Sequence, residues 1–326
     1  MPGISGQLTT FNSPNYVGPL FEISPTDTPF LSAIGGLTGG RPADATLFTW
    51  QTTDLRDPEA DRQRLEGADA PTAEARPRQN VRNVVEIHQE AIEISYTKLA
   101  ATGQFGDTGS SHPYGAGIAG ANPVLDEEAR QIRYALAQIA RDVELGFLTN
   151  TMVEPSTNAS ARKSAGLDSV ITTNVVNANN APLTEDMVLD LMQMVWTEGG
   201  IMSSETATLI CNGSQKRKLT EIFITGKGFQ ETSRNVGGVA LTTFQTDFGN
   251  CNIMLDRWMP TDRIFVVSMD ECAPRFMPIP GKGFLFVEEL ARTGAAVRKQ
   301  IYGEIGLEYG VESHHGKIYD LNTTGS

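Results

Sequence analysis

The residues best suited to acid–base, nucleophilic or metal chemistry are few. There are four histidines, His88, His112, His314 and His315, and three cysteines, Cys211, Cys251 and Cys272. No Cys-x-x-Cys and no His-Glu-x-x-His occurs, so no short ligand pair announces a metal. His314 and His315 are adjacent. On a strand, neighbouring side chains point to opposite faces, so they read as a polar surface pair, not as one site. His112 lies in a glycine-rich stretch and reads as solvent-facing. The cysteines are far apart and odd in number, which suits reduced, partly buried thiols. A serine or cysteine nucleophile needs a histidine, and nothing ties any of the four to Cys211 or Cys251. There is no Gly-x-Ser-x-Gly elbow. Gly35-Gly36 and Gly39-Gly40 lack the strand, helix and lysine of a phosphate loop. Asn212-Gly213 reads as a turn. Carboxylate pairs are plentiful, but spacing alone selects none of them. The expectation is a chain with no catalytic residue, no cofactor and no metal.

Composition narrows the classes further. The chain has 326 residues, 40% apolar and 20% charged, with a net charge of −13. That is a folded chain with room for about two domains. Its acidity argues against a protein that reads or grips phosphates. Aromatic residues are 7% and are not interleaved with basic clusters, so a single-strand stacking groove is not supported either. The N-terminus shows neither a basic nor an apolar signal region, and no stretch approaches the ~18 apolar residues of a membrane span. A soluble protein made in a cytoplasm, with no membrane partner, is expected.

The polar chemistry that is present belongs to arginine and carboxylate. From Arg41 to Arg82 there are seven arginines and eight acids, and no lysine precedes Lys98. This set lies in a long excursion, Thr46 to Thr97. It leaves as the aromatic run Phe48-Thr49-Trp50 and returns as Val84-Val85-Glu86-Ile87, then Ala91 to Ser95. The two ends read as antiparallel strands, with Val85, Ile87, Ile92 and Ile94 alternating. A tip with so few apolar residues cannot bury itself. It is either disordered or laid on another molecule. Arginine presents a planar fork to carboxylates, whereas lysine suffices for solubility, and the usage favours an interface. The candidate interface residues are Arg56, Arg62, Arg64, Glu66, Asp69, Arg76, Arg78 and Arg82. Phe11, Phe21 and Phe30 join them from residues 1–45, a proline-interrupted arm too aromatic to be merely disordered.

Other elements must carry this loop. Apolar residues at Leu125, Ala129, Ile132, Leu136, Ile139, Val143 and Phe147 predict a long one-faced helix, capped by Asp126, with Glu127 and Glu128 at the positive end of its dipole. Residues 103–123, rich in glycine, form a loop before it. Residues 161–284 read as a separate mixed domain. Its helix starts at Thr184, its buried strands run at 207–211 and 264–267, and it has a hairpin at 239–256. Residues 284–322 return to strand character.

Taken in order, Thr28-Pro29-Phe30-Leu31, Phe48-Thr49-Trp50 with Asp54-Leu55, Glu66-Gly67-Ala68-Asp69-Ala70, Ser95-Tyr96-Thr97, the long helix and Ala165-Gly166-Leu167 form a pattern covering nearly the whole chain. The sequence resembles the tailed-bacteriophage major capsid proteins, in the subgroup typified by phage SU10. The resemblance implies an α+β chain with the Hong Kong 97 (HK97)-like capsid fold. It places an N-terminal arm at 1–45, an extended β-hairpin loop at 46–96, a peripheral domain at 97–160 with a spine helix at 125–152, an axial domain at 161–284, and returning peripheral strands at 285–326. It implies a structural role as the icosahedral shell around the double-stranded DNA genome of a tailed phage. Partners would be further copies of the chain in hexamers and pentamers, a portal, a separate scaffold, a decoration protein and DNA held non-specifically. Location would be the virion, after assembly in the host cytoplasm. The alternatives are an encapsulin-like nanocompartment shell and, more remotely, an enzyme of unknown reaction.

Overall fold

The computed structural model describes residues 23–101, 127–201, 207–225 and 243–323. Phe11, Phe21, His112, the cap at Asp126 and the glycine-rich stretch 103–123 lie outside the described residues.

The first described elements are α1 (Pro29–Ala33), β1 (Arg41–Pro42), β2 (Leu47–Thr53), β3 (Arg78–Val84), β4 (Glu86–Ser95), α2 (Tyr96–Ala101) and α3 (Glu127–Thr149). The middle of the chain adds α4 (Leu167–Val170), β5 (Asn174–Asn177), α5 (Glu185–Thr197), β6 (Ala207–Cys211), α6 (Gly213–Thr220), β7 (Thr243–Thr246), β8 (Gly249–Leu255) and β9 (Ile264–Ser268). Last come β10 (Ala273–Phe276), β11 (Leu285–Glu289), β12 (Ala296–Glu308) and β13 (Gly316–Tyr319).

Two compact units share the chain. The first holds Met1–Thr26, Gln89–Gln138 and Val287–Ile301; the second holds Asp27–His88, Ile139–Phe286 and Tyr302–Ser326. In the first unit, the outer ends of β4 and β12 run side by side. The Tyr96 N–H donates to the Ala295 carbonyl at 3.1 Å, and Arg298 pairs with Glu93 at 3.1 Å. Helix α3 begins there with Glu127 and Glu128 in its first turn, and Glu127 is bound by Arg130 and by Gln131. These acids suit the positive helix end.

The second unit contains a six-stranded mixed sheet in the order β5-β13-β9-β6-β8-β7. Its central strands, Ala207–Cys211 and Ile264–Ser268, are buried at every position. This is why they read in the sequence as unbroken apolar runs, not alternating ones. Helix α5 covers the sheet. Thr184 accepts the Met187 N–H and starts it, and Val188, Leu191, Met192 and Val195 face inward, fully buried. Each such side chain contributes about 1.5–3 kcal/mol on burial. The packing leaves no room for a side chain on β13 at Gly316, where a Cβ would lie 2.7 Å from both Leu191 and Val195. Asn212 is more than a turn residue, since its side chain accepts the Ser214 N–H and caps α6.

The same unit holds two smaller assemblies. β10 pairs antiparallel with the end of β12 and parallel with the short β1. β10 has no strand signature in the sequence, because Pro274 interrupts it. Its proline is tolerated at a position that needs no N–H. The facing residue, Leu307, has its N–H and carbonyl taken by the side chains of Ser164 and Asn83. The other assembly is the two-stranded β2–β3 ladder, with Leu47 opposite Val84 and Thr53 opposite Arg78.

Two expectations need correction. The histidine pair is not a surface pair. His315 is fully buried, with Nδ1 at 3.2 Å from the Ser268 N–H and Nε2 at 2.6 Å from the Tyr309 carbonyl. His314 is partly buried against Glu271, 2.5 Å away. The alternation at the loop's return also breaks. Val84, Val85 and Glu86 are all buried, while Ile87 is 51% exposed. The chain leaves β3 and enters β4 at this point, and the change of partner shifts which face points inward.

Candidate assembly interface

The loop stands on a ladder of seven residue pairs and is held at its base by buried polar side chains. Asn83 is fully buried and uses its whole amide. Its Nδ2 donates to the carbonyls of Ala165 at 3.2 Å and Leu307 at 2.7 Å, and its Oδ1 accepts the N–H groups of Ala165 at 2.8 Å and Val84 at 2.9 Å. Glu86, 6% exposed, accepts from the Ser164 N–H at 3.0 Å and from Asn150 Nδ2 at 3.2 Å, and contacts His88 at 3.0 Å. Both side chains therefore tie the hairpin to the end of α3 and the 164–166 turn. That turn meets the helix backbone directly. The Gly166 N–H donates to the Asn150 carbonyl, and a Cβ at Gly166 would fall 2.5 Å from the Gly146 oxygen.

Aromatic packing fixes the other strand. Phe48, Ala43 and Val85 form a small core with Trp50 and Met277 against it. The Trp50 Nε1–H donates to the Gly310 carbonyl at 2.7 Å, and its ring meets Tyr309 edge-on at 4.8 Å. The Arg275 guanidinium lies 5.9 Å over Phe48 and is held by Glu308 at 2.5 Å. A rigid base is the result.

Beyond Thr53 the loop carries no strand until Arg78, and nearly every residue of 54–77 is exposed. At its far end Gly67 adopts φ +79°, and the Ala68 N–H returns to the Leu65 carbonyl at 3.1 Å. Only glycine takes that conformation without strain. Within the loop, Glu74 collects Arg62 at 2.8 Å, Arg76 at 3.0 Å and Arg56 at 3.7 Å. The bonds from Arg62 and Arg76 hold its carboxyl below the usual range. Arg78 donates to Gln51, and Arg82 reaches Glu154 at 3.4 Å. Arg64, Glu66 and Asp69 are exposed and have no ion-pair partner among the described residues. Leu55 and Leu65 are 74% and 86% exposed.

The sequence-predicted interface set thus divides. Arg56, Arg62 and Arg76 are gathered around one carboxylate, Arg78 and Arg82 lie along the hairpin, and Arg64, Glu66 and Asp69 stand free at the tip. Phe30 does not belong to the set. Its side chain is fully buried within its own chain, and its N–H donates to Glu144 at 2.8 Å. An aromatic next to a proline at a helix start has packed in cis.

Sequence reasoning missed Asn83, Glu86 and Glu144. For Glu144 a signal existed, since it falls between Ala140 and Leu148 at four-residue spacing, on the apolar stripe of α3. The three cysteines are free and buried. Among the described residues no group of histidines, cysteines and acids could hold a metal, and no helix is long and apolar enough to cross a membrane. An open groove of about 590 Å³ between β5 and α5 is lined by Asn174, Val176, Asp190, Met194 and Glu198 among others, without a histidine or cysteine.

A major capsid protein of Escherichia phage Phieco32 is 22% identical over 334 residues, covering 88% of each chain. Among solved structures, the cyanophage A-1(L) capsid aligns at a TM-score of 0.65 and 9% identity, covering 98% of this chain and 100% of that one. The SrpI encapsulin of Synechococcus elongatus aligns at 0.58 and 12% identity, covering 96% and 94%. These likenesses establish the α+β Hong Kong 97-type fold, which phage capsids and encapsulins share. The family model described as SU10 major capsid protein matches residues 3–322, so the chain belongs to the SU10 major capsid protein family.

Proposed function

We propose that this chain is the subunit of the icosahedral head shell that encloses the double-stranded DNA of a tailed bacteriophage. The observation that carries the reading is the family match over residues 3–322. Copies associate as hexamers and pentamers. Residues 46–96 act as the clasp between neighbours, and 1–45 act as the arm. Residues 97–160, with the spine helix, and 285–326 form the peripheral domain, and 161–284 form the axial domain.

The mechanism is additive. A tip bearing Arg64, Glu66 and Asp69 offers both signs of charge to an adjacent subunit, and complementary charge sets register more than strength. The exposed Leu55 and Leu65 add apolar area. Modest contacts repeated by symmetry give a collectively stable shell. A rigid base matters because a loop that swivels would lose that register. A net charge of −13 suits a container whose contents are pumped in and must not stick. Assembly takes place in the host cytoplasm with a separate scaffold, a portal and, where used, a decoration protein.

The SrpI likeness raises a second shell, one that carries protein cargo. Fold alone does not separate the two, and the family match favours the phage capsid. Purified particles decide between them. Nuclease-resistant double-stranded DNA inside supports the capsid, whereas a packaged enzyme with no nucleic acid overturns it.

A further inference from the structure

The open groove between β5 and α5, about 590 Å³ in volume, presents hydrogen-bond acceptors almost throughout. Asp190, Met194 and Glu198 recur at four-residue spacing, so they share one side of α5 and line the groove together. Neither carboxylate has an ion-pair partner among the described residues, and α5 carries no lysine or arginine. Glu198 stands at the C-terminal cap of α5, where the helix dipole is negative and favours a cation.

The neutral side chains lean the same way. Asn174, 2% exposed, commits both amide hydrogens to the carbonyls of Ser313 at 2.6 Å and His315 at 3.1 Å, which leaves it only an acceptor, Oδ1. The Thr173 hydroxyl donates to Glu312 at 2.7 Å, and the Thr197 hydroxyl donates to the Gln193 carbonyl at 2.8 Å. With their protons taken, both hydroxyls can only accept from a ligand. Among the lining side chains only Gln193 keeps a donor. Such a lining suits a group that donates at several points and accepts at none. Guanidinium has five N–H donors in a planar fork, where an ammonium has three.

The loop tip displays that group. Arg64 is exposed and has no ion-pair partner among the described residues, and Leu65 beside it is 86% exposed. Met194 and Val176, both half-buried, give the groove an apolar wall for such a leucine. The strand-free stretch from Thr53 to Arg64 spans up to about 40 Å, enough to cross onto an adjacent molecule. Within one chain the tip and the groove acids are both left open, so the match is made between copies. We infer that the β5–α5 groove seats the loop tip of a neighbouring copy, with Arg64 against Asp190 and Glu198 and Leu65 on Met194. The occupant is a second copy, so the seat rests on the shell reading and names the surface that the clasp grips. A tip in the groove of the next copy is a head-to-tail contact, the kind that repeats around a ring and closes hexamers and pentamers.

Charge reversal across the contact tests this in assembly of the full chain, read by sedimentation and electron microscopy. Asp190→Lys with Glu198→Lys, and separately Arg64→Glu, should each raise the concentration needed for assembly by about tenfold or more, because like charges then face each other. Asp190→Asn with Glu198→Gln keeps the groove's shape and should raise it less. All these positions are exposed, so melting curves should stay at the wild-type value. Arg64→Glu combined with both lysine changes restores opposite charges and should recover most of the loss. Groove variants that assemble like wild type overturn the seat and leave the shell reading standing. So does a combined chain that assembles no better than Arg64→Glu alone. A wild-type chain that forms no particles overturns the shell reading itself, and the seat with it.

Discussion

Removing the Asn83 side chain isolates the buried clamp under the loop. In Asn83→Ala, two buried N–H groups, Val84 and Ala165, lose their acceptor, and two carbonyls, Ala165 and Leu307, lose a donor. A buried N–H left unsatisfied costs about 1–3 kcal/mol, and a carbonyl that keeps another partner costs less. The change should therefore destabilise the fold by about 3–5 kcal/mol, a large part of the 5–15 kcal/mol typical of a folded protein. The neighbouring Arg82 is the control. It is paired with Glu154 at 3.4 Å, at side-chain exposures of 60% and 40%. Arg82→Ala should stay within about 0.5 kcal/mol of wild type. Urea unfolding of the unassembled chain, followed by tryptophan fluorescence, measures both, since Trp50 packs at the same base. An Asn83→Ala midpoint corresponding to a loss below about 1 kcal/mol would refute the clamp, because four bonds of that geometry cannot all be lost so cheaply.

Phe30→Ala should lose about 3–5 kcal/mol in the same assay, because a large, fully buried ring is removed; a loss below about 1 kcal/mol would mean that the arm root packs elsewhere. Gly166→Ala should lower the melting temperature sharply, since its Cβ would press on backbone atoms of Gly146, Phe147 and Asn150 that cannot swing away. Arg64→Glu should impair particle formation more than Arg62→Glu, because Arg62 is already answered by Glu74, while both subunits keep wild-type melting curves. Sedimentation of assembly mixtures reads that order, and equal behaviour of the two variants would count against the tip as the contact. Burial also sets the sign of a pH effect on stability: it pushes the Glu144 carboxyl up to about 8, so this group's contribution is fully present below the ordinary carboxylate range and is lost as pH rises toward 8, read as a falling urea midpoint, and a midpoint that holds level or rises over that range would count against it.

Apolar periodicity and runs carried much of the architecture. Strands 207–211 and 264–268 show as continuous apolar runs because both faces are covered, and α5 shows as a stripe because one face is. The hairpin ends were readable from Phe48-Thr49-Trp50 and the valines that face them. β10 was not, because Pro274 hides a strand whose facing residue takes its hydrogen bonds from side chains. Nor were the buried Asn83 and Glu86 readable. Their partners include backbone groups up to 224 residues away, and no local spacing encodes such a contact. His315 misled for the same reason: its burial depends on Ser268 and Tyr309, which only the fold brings to it. At the tip the sequence gives the composition but not the pairing. It takes the folded loop to show that Glu74 gathers three arginines and leaves Arg64 free.

The central claim is that copies of this chain close into a shell clasped by the 54–77 loop. Electron cryomicroscopy of particles assembled from the full chain tests it most directly. The account predicts closed icosahedral shells in which the loop lies on the neighbouring subunit, with Arg64, Glu66 and Asp69 at that contact. Chains that remain single under assembling conditions, or shells in which the loop folds back on its own subunit, would contradict it.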